Sequence, residues 1–267
     1  MKETTIVTSL FNVNREGMDG RSWDEYLKWF ENTLQLKCSM VIFTTEDMVS
    51  FIEERRTSIP TEIITQKIKE IPYYTLKDDI DTIINSDEYK QRISDPNRIE
   101  CQHSIYSIIQ YSKFEWLRSV IVENPFNSKF FFWLDAGASR FFEEYDLDLE
   151  YPSSNAIEAL EGMGNKFLIQ MNMEYYTDLA NAEKLDEEYL LDNRSYVLGS
   201  MFGGTENATL KVIVDVKYYL GKMISDGFIN NEQILLGYLV KQNPDDYEVY
   251  ERYDGKHLSL FAELGKV

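Results

Sequence analysis

Short apolar runs alternate with longer amphipathic stretches through most of the chain. Thr5-Ile6-Val7-Thr8-Ser9-Leu10 is β-branched and brief, and polar Asn12, Asn14 and Arg15 follow it. That pattern predicts a buried first strand feeding a loop. Trp23, Tyr26, Leu27, Trp29 and Phe30 recur at helical spacing. Ser22 with Glu25 three residues on has the capping-box spacing that opens such a helix. Met40 to Phe43 predicts a second buried strand, and Thr45-Glu46-Asp47 opens a helix to about Arg56. Strand, helix, strand, helix is the order of a parallel α/β sheet.

The middle of the chain is less regular. Ile63, Ile64, Ile68 and Ile71 fit a strand or a helical edge, and Ile80 to Tyr89 reads as a polar helix. Ser104 to Val122 predicts a long helix ended by Pro125 and Asn127. Phe130-Phe131-Phe132-Trp133-Leu134 is apolar at every position, the mark of a central strand covered on both faces. It stops at Asp135-Ala136-Gly137. Phe167 to Met171 predicts a later strand, and Tyr196 to Gly204 a strand running into a glycine turn. Helices are expected over Ala208 to Met223 and from Asn231 to about Lys241, then a short strand over Tyr247 to Tyr250. No internal repeat or low-complexity tract interrupts this order.

Composition narrows the class. The 267 residues are 43% hydrophobic and 14% aromatic, enough for one packed α/β domain over 1–267. The 46 Asp and Glu outnumber 27 Lys and Arg, a net charge of −19. Such a field repels nucleic-acid phosphates and anionic membrane surfaces, so no nucleic-acid partner is expected. One phosphate pocket needs only a few local cations. Cys38 and Cys101 form no CxxC pattern, and the apolar runs are too short for a spanning helix. Without a leader-like start the expected location is cytoplasmic, where the Asn207-Ala208-Thr209 sequon carries no meaning. Neither Gly-x-Gly-x-x-Gly nor Gly-x-Ser-x-Gly appears, so dehydrogenase and serine-hydrolase readings lack their motifs.

The leading candidate for chemistry is Asp135. A carboxylate at the carboxyl end of a central strand sits where open α/β sheets bind ligands, with small Ala136 and Gly137 leaving room. The same aspartate also suits a turn cap.

Lys113 to Arg140 carries a Ser-Lys helix, then Asn-Pro-Phe, then Phe-Trp-Leu-Asp-Ala-Gly. In that order, together with Thr5 to Arg15 and Met40 to Thr44, the chain resembles the HtrL/YibB-type family, bacterial proteins associated with lipopolysaccharide synthesis. The resemblance covers most of the sequence and is weakest over residues 60 to 100. Gly199-Ser200-Met201-Phe202-Gly203-Gly204 is also similar to the glycine-rich segment of blood-group-type galactosyl- and N-acetylgalactosaminyltransferases. Their later Asp-Glu helix start is matched here by Asn231-Glu232-Gln233.

The resemblance implies a GT-A fold, a Rossmann-like mixed sheet flanked by helices. It implies a glycosyltransferase that moves a sugar from a UDP-hexose or UDP-N-acetylhexosamine to a glycan or lipopolysaccharide-type acceptor with retention. Glu232 is then the catalytic carboxylate beside the anomeric carbon, where a negative charge stabilises an oxocarbenium ion or attacks it. As a plain sequence feature, Glu232 is equally a first-turn helix carboxylate favoured by the dipole. GT-A enzymes use Asp-x-Asp to hold Mn²⁺ or Mg²⁺; here Gly137 replaces the second aspartate, leaving Asp135 and late His257 as metal candidates.

Donor contacts are expected from Thr8, Ser9, Asn12, Thr44 and Thr45 over the ends of the first two strands. Gly203 and Gly204 are expected beside the sugar. Lys113, Arg118 and Lys256 are candidates for the diphosphate, with or without metal, and Arg140 for donor or acceptor. Phe141, Phe142, Tyr175, Tyr176, Tyr218 and Tyr219 include possible stacking surfaces. Two alternatives stay open: an inverting transferase whose carboxylate deprotonates the acceptor, and an inactive nucleotide-sugar-binding or assembly protein.

Overall fold

In the computed structural model, residues 3–142, 151–172, 179–250 and 264 are described. Strands β1 (Thr4–Leu10), β2 (Ser39–Thr44), β3 (Thr61–Thr65), β4 (Phe130–Leu134), β5 (Phe167–Met171), β6 (Val197–Thr205) and β7 (Tyr247–Tyr250) form one sheet. Its order is β3-β2-β1-β4-β6-β5-β7. β3, β2, β1 and β4 run parallel, and β6 is antiparallel to both β4 and β5. The architecture is a mixed central sheet flanked by helices, broadly Rossmann-like.

Alternation along β4 explains the two-sided core. Phe131 and Trp133 face one apolar cluster with Val7 and Val41, while Phe130, Phe132 and Leu134 face another with Ile6, Met40 and Ile42. Successive side chains leave a strand on opposite faces, so a strand covered on both must be apolar throughout. Helix α1 (Trp23–Thr33) covers the second face with Phe30. Ser22 and Glu25 close the expected capping box at its start. Helices α2 (Lys77–Asn85), α3 (Ser104–Glu123), α5 (Glu206–Ser225) and α6 (Glu232–Gln242) cover the first face. Helix α4 (Ser154–Gly162) packs Ala156 and Leu160 on the second.

This arrangement opens a crevice between β1 and β4. The chain leaves β1 toward α1 on one face, and enters β4 from α3 on the other. Connections that diverge to opposite faces leave a gap at the carboxyl ends of two adjacent parallel strands, and ligands bind open α/β sheets there.

Three local expectations need correction. β6 does not turn at its glycines but runs through Gly203 and Gly204 to Thr205. A Cβ at Gly203 would fall 2.0 Å from the Phe131 carbonyl oxygen, and one at Gly204 2.7 Å from that of Lys166. The glycines therefore admit the backbones of β4 and β5 rather than a sugar. The helix expected from Thr45 to Arg56 is a 3-10 turn over Glu46–Met48 followed by a short helix over Val49–Glu53. The helix expected over Ile80 to Tyr89 breaks at Ser86, whose hydroxyl caps a second helix over Asp87–Arg92.

Gly203→Ala is expected to lower unfolding stability toward the upper end of the ~1–3 kcal/mol typical of overpacking. Gly221→Ala, in open space on α5, is expected to raise it by roughly 0.5–1 kcal/mol through backbone entropy and helix propensity. Urea titration of both variants checks the contrast.

Candidate active site

The crevice holds a cavity of about 220 Å³. Its walls come from the loop after β1, the start of α1, one face of α3 and the turn after β4. Arg15 and Arg21 reach it from the first loop, Lys113 from α3 and Arg140 from the post-β4 turn. Four cations around one cavity are notable in a chain of net charge −19. Arg15 and Arg21 share Asp19. Arg140 forms no ion pair within 4.0 Å among the described residues, feels the Asp135 charge from further off, and lies over the Trp29 and Phe141 rings, 5.3 and 4.6 Å from their centres. Partial desolvation, then the like charge of Arg21, pushes its guanidinium below the ordinary arginine range. An anion placed among these groups would relieve that repulsion.

At the cavity floor is a charge cluster drawn from distant parts of the chain. Lys113 Nζ lies 2.7 Å from Glu232 Oε1 and 2.9 Å from Asp135 Oδ1, and donates to the Gly199 carbonyl at 3.2 Å. Trp133 Nε1 donates to Asp135 Oδ1 at 2.7 Å. The Asp135 backbone N–H donates to the Ser200 carbonyl at 2.9 Å. Burial acts to lower the Lys113 ammonium, but Asp135 and Glu232 together outweigh it and hold the proton more tightly than usual. Burial pushes the Glu232 carboxyl up against the pull of Lys113.

The two carboxylates differ in access. Asp135 lines the cavity with 38% of its side chain exposed. Its Oδ1 takes both donors, and Oδ2 meets none among the described residues. Glu232 is 1% exposed, does not line the cavity, and keeps Oε2 buried without a partner. It stands behind Lys113. Asn231 fixes it there by capping α6 through the Gln233 N–H and by donating to Glu100 Oε1 at 2.9 Å. Gly199 is required opposite, since a Cβ there would meet Glu232 Oε1 at 2.6 Å.

The other expected contacts divide. Ser9 and Asn12 line the cavity, but Thr8 is fully buried outside it. Thr44 is buried and its hydroxyl donates to the Leu10 carbonyl, so the cavity opens over β1 and β4 rather than over β1 and β2. Thr45 caps no helix through its side chain and lies off the cavity. Arg118 pairs with Glu115 outside it. Gly203 and Gly204 serve the sheet. Phe141 lines the cavity, whereas Tyr218 and Tyr219 pack edge to face on α5. Lys256, His257, Tyr175 and Tyr176 lie outside the described residues. The sequence reading missed Arg21, Tyr106 and Gln110, all of which line the cavity.

Among the described residues no group of three or more His, Cys, Asp or Glu forms a metal cluster. Asp135 anchors one oxygen to Lys113 and Trp133 and leaves Oδ2 without a donor among the described residues, so it alone does not make a cation site.

Comparison with known proteins places the chain in a family. Residues 2–264 match the family described as bacterial protein of unknown function (HtrL_YibB), and the chain belongs to it. It is 19% identical to Protein HtrL of Escherichia coli (strain K12) over 276 residues, covering 97% of this chain and 91% of that one. Among solved structures it is similar to mouse xyloside xylosyltransferase 1 in its apo form, with TM-score 0.47 and 8% identity over 93% of this chain and 85% of that one. It is also similar to 4-diphosphocytidyl-2C-methyl-D-erythritol synthase from Anaerococcus prevotii DSM 20548, with TM-score 0.42 and 11% identity over 98% and 95%.

Proposed function

We propose that the protein is a glycosyltransferase that binds a nucleoside-diphospho-sugar, a UDP-hexose or UDP-N-acetylhexosamine, in the β1–β4 crevice and transfers the sugar to a glycan or glycolipid hydroxyl. The observation that carries this reading is the convergence of Arg15, Arg21, Arg140 and Lys113 on a cavity whose floor presents the Asp135 carboxylate. A diphosphate would supply the counter-charge that Arg140, unlike the already paired Arg15, Arg21 and Lys113, does not find in an ion pair among the described residues. A sugar attached to the diphosphate supplies the centre where positive charge develops as the bond to the leaving phosphate breaks.

The roles follow from access. Arg140 and Arg21 hold diphosphate oxygens at the rim. Asp135, fixed by Lys113 and Trp133, turns Oδ2 toward the anomeric carbon and stabilises its oxocarbenium character, which favours retention. Glu232 acts through Lys113 and is a positioning residue. Ser9 and Asn12 bind the nucleoside, and Trp23, Tyr26 and Phe141 offer faces to its rings.

Arg140→Ala is expected to weaken UDP binding by about 10- to 100-fold, the range of a lost charge-assisted contact of ~1.5–3 kcal/mol. The exposed Arg118→Ala, off the cavity, should leave it unchanged. Calorimetric titration with UDP reads both, and equal affinities would remove the diphosphate from this rim.

A further inference from the structure

One buried polar group at the cavity is not among the donor contacts proposed for the crevice. Gln110 lies on α3, 5% exposed, and lines the cavity. Its Oε1 is buried without a hydrogen-bond partner, and no described residue bonds to its Nε2. A buried amide oxygen left unpaired costs stability, so a retained one calls for a partner that the protein itself does not supply. Holding no internal bond, the amide can present either oxygen or nitrogen to the cavity at no cost in protein contacts.

Its place on the helix narrows what that partner is. Tyr106, Gln110 and Lys113 follow one another at steps of four and three residues, which puts them on one face of α3. Gln110 is about 4.5 Å along the axis from Lys113. Lys113 pairs with Asp135, the carboxylate that the proposed function sets beside the anomeric carbon. A group one turn from that point is about a sugar ring away from it. On the proposed reading, the nucleoside would lie beyond the diphosphate, on the other side of the anomeric carbon.

We infer that Gln110 is a specificity-determining residue that binds a ring hydroxyl of the transferred sugar remote from the anomeric carbon. A hydroxyl donates one hydrogen bond and accepts others, which matches an amide that offers both an acceptor and donors. Its orientation on the ring then decides which epimer of the donor is held. The inference rests on the nucleotide-sugar reading of the cavity.

The test compares UDP, UDP-glucose and UDP-galactose by calorimetry on the full chain and on Gln110→Met, which keeps the length of the side chain and removes the amide. The wild type should bind one hexose epimer more tightly than the other. The variant should bind UDP as before, lose about three- to tenfold in affinity for the preferred UDP-hexose, and lose the preference. Its melting temperature should be unchanged or higher, because an unpaired buried amide has been removed. Three results overturn the assignment: an equal loss for UDP and UDP-hexose, which puts Gln110 on the base; no loss for either, which leaves it to water; or a fall in melting temperature, which makes it structural. A wild type that binds neither UDP nor any UDP-sugar instead overturns the donor-site reading itself, and this inference with it.

Discussion

Lys113→Met is expected to destabilise the fold by about 3–5 kcal/mol at neutral pH, the range for breaking one side of a buried ion pair. The ammonium sits between Glu232 and Asp135 with 7% of its side chain exposed. Removing it strands the Glu232 carboxylate, which is 1% exposed and whose Oε2 already lacks a partner. Asp135 loses less, since it reaches solvent and keeps the Trp133 indole. The pH dependence has a definite sign. Burial already raises the Glu232 carboxyl above its ordinary value, and loss of Lys113 raises it further. A carboxyl with a folded pKa above its unfolded one costs stability in full above the folded value; the cost shrinks as pH falls from there and is gone below the unfolded value. The variant's deficit should therefore shrink in acid. Adding Glu232→Leu should recover much of the loss, because a buried pair replaced by apolar groups is often neutral or better. Denaturant melts at several pH values read all three effects; a single variant as stable as the wild type would show that the pair is not coupled.

Much of this site was legible in the sequence, though not the depth of its parts. The all-apolar run of β4 demands cover on both faces, which made Asp135 stand out at its end. Lys113 and Arg118, on the helix before that strand, and Arg140, just after it, were candidates; the fold brings Lys113 and Arg140 to the cavity and leaves Arg118 paired with Glu115 outside it. Glu232 was visible as a carboxylate opening a helix, but a helix start says nothing of what lies in front of it. Its retreat behind the cavity wall depends on Lys113, 119 residues earlier. Gly203 and Gly204 carry the local signature of a turn. What they permit is the close approach of β4 and β5, strands far away in the chain, and no nearby residue signals it. Arg21 precedes α1 as an ordinary charged loop residue, and becomes part of the site only when that loop folds over β1. Helix α4 was missed because only Ala156 and Leu160 are buried along it, too thin a stripe to stand out.

The second large effect concerns chemistry. Asp135→Asn is expected to lower the transfer rate by about 10²–10⁴-fold, the range for a carboxylate acting at the reacting centre. UDP affinity should change little, because the arginines that hold the diphosphate are untouched. The neutral amide can still accept from Trp133 and Lys113, so geometry survives while the charge is lost. Glu232→Gln gives the comparison. It also leaves Lys113 an acceptor and removes one charge, but from a group behind the wall, so its loss of rate should be the smaller. If Glu232→Gln is the more damaging of the two, Glu232 rather than Asp135 faces the sugar. Proton couplings of the product separate retention from inversion in the same experiment.

The β1–β4 crevice is tested most directly as a nucleotide-sugar donor site by sugar release from UDP-, GDP-, CMP- and dTDP-sugars, with and without Mn²⁺, followed alongside the melting temperature. Slow hydrolysis and stabilisation confined to UDP-sugars, both lost in Arg140→Ala, is the predicted result. Absence of both stabilisation and hydrolysis with every donor would contradict it.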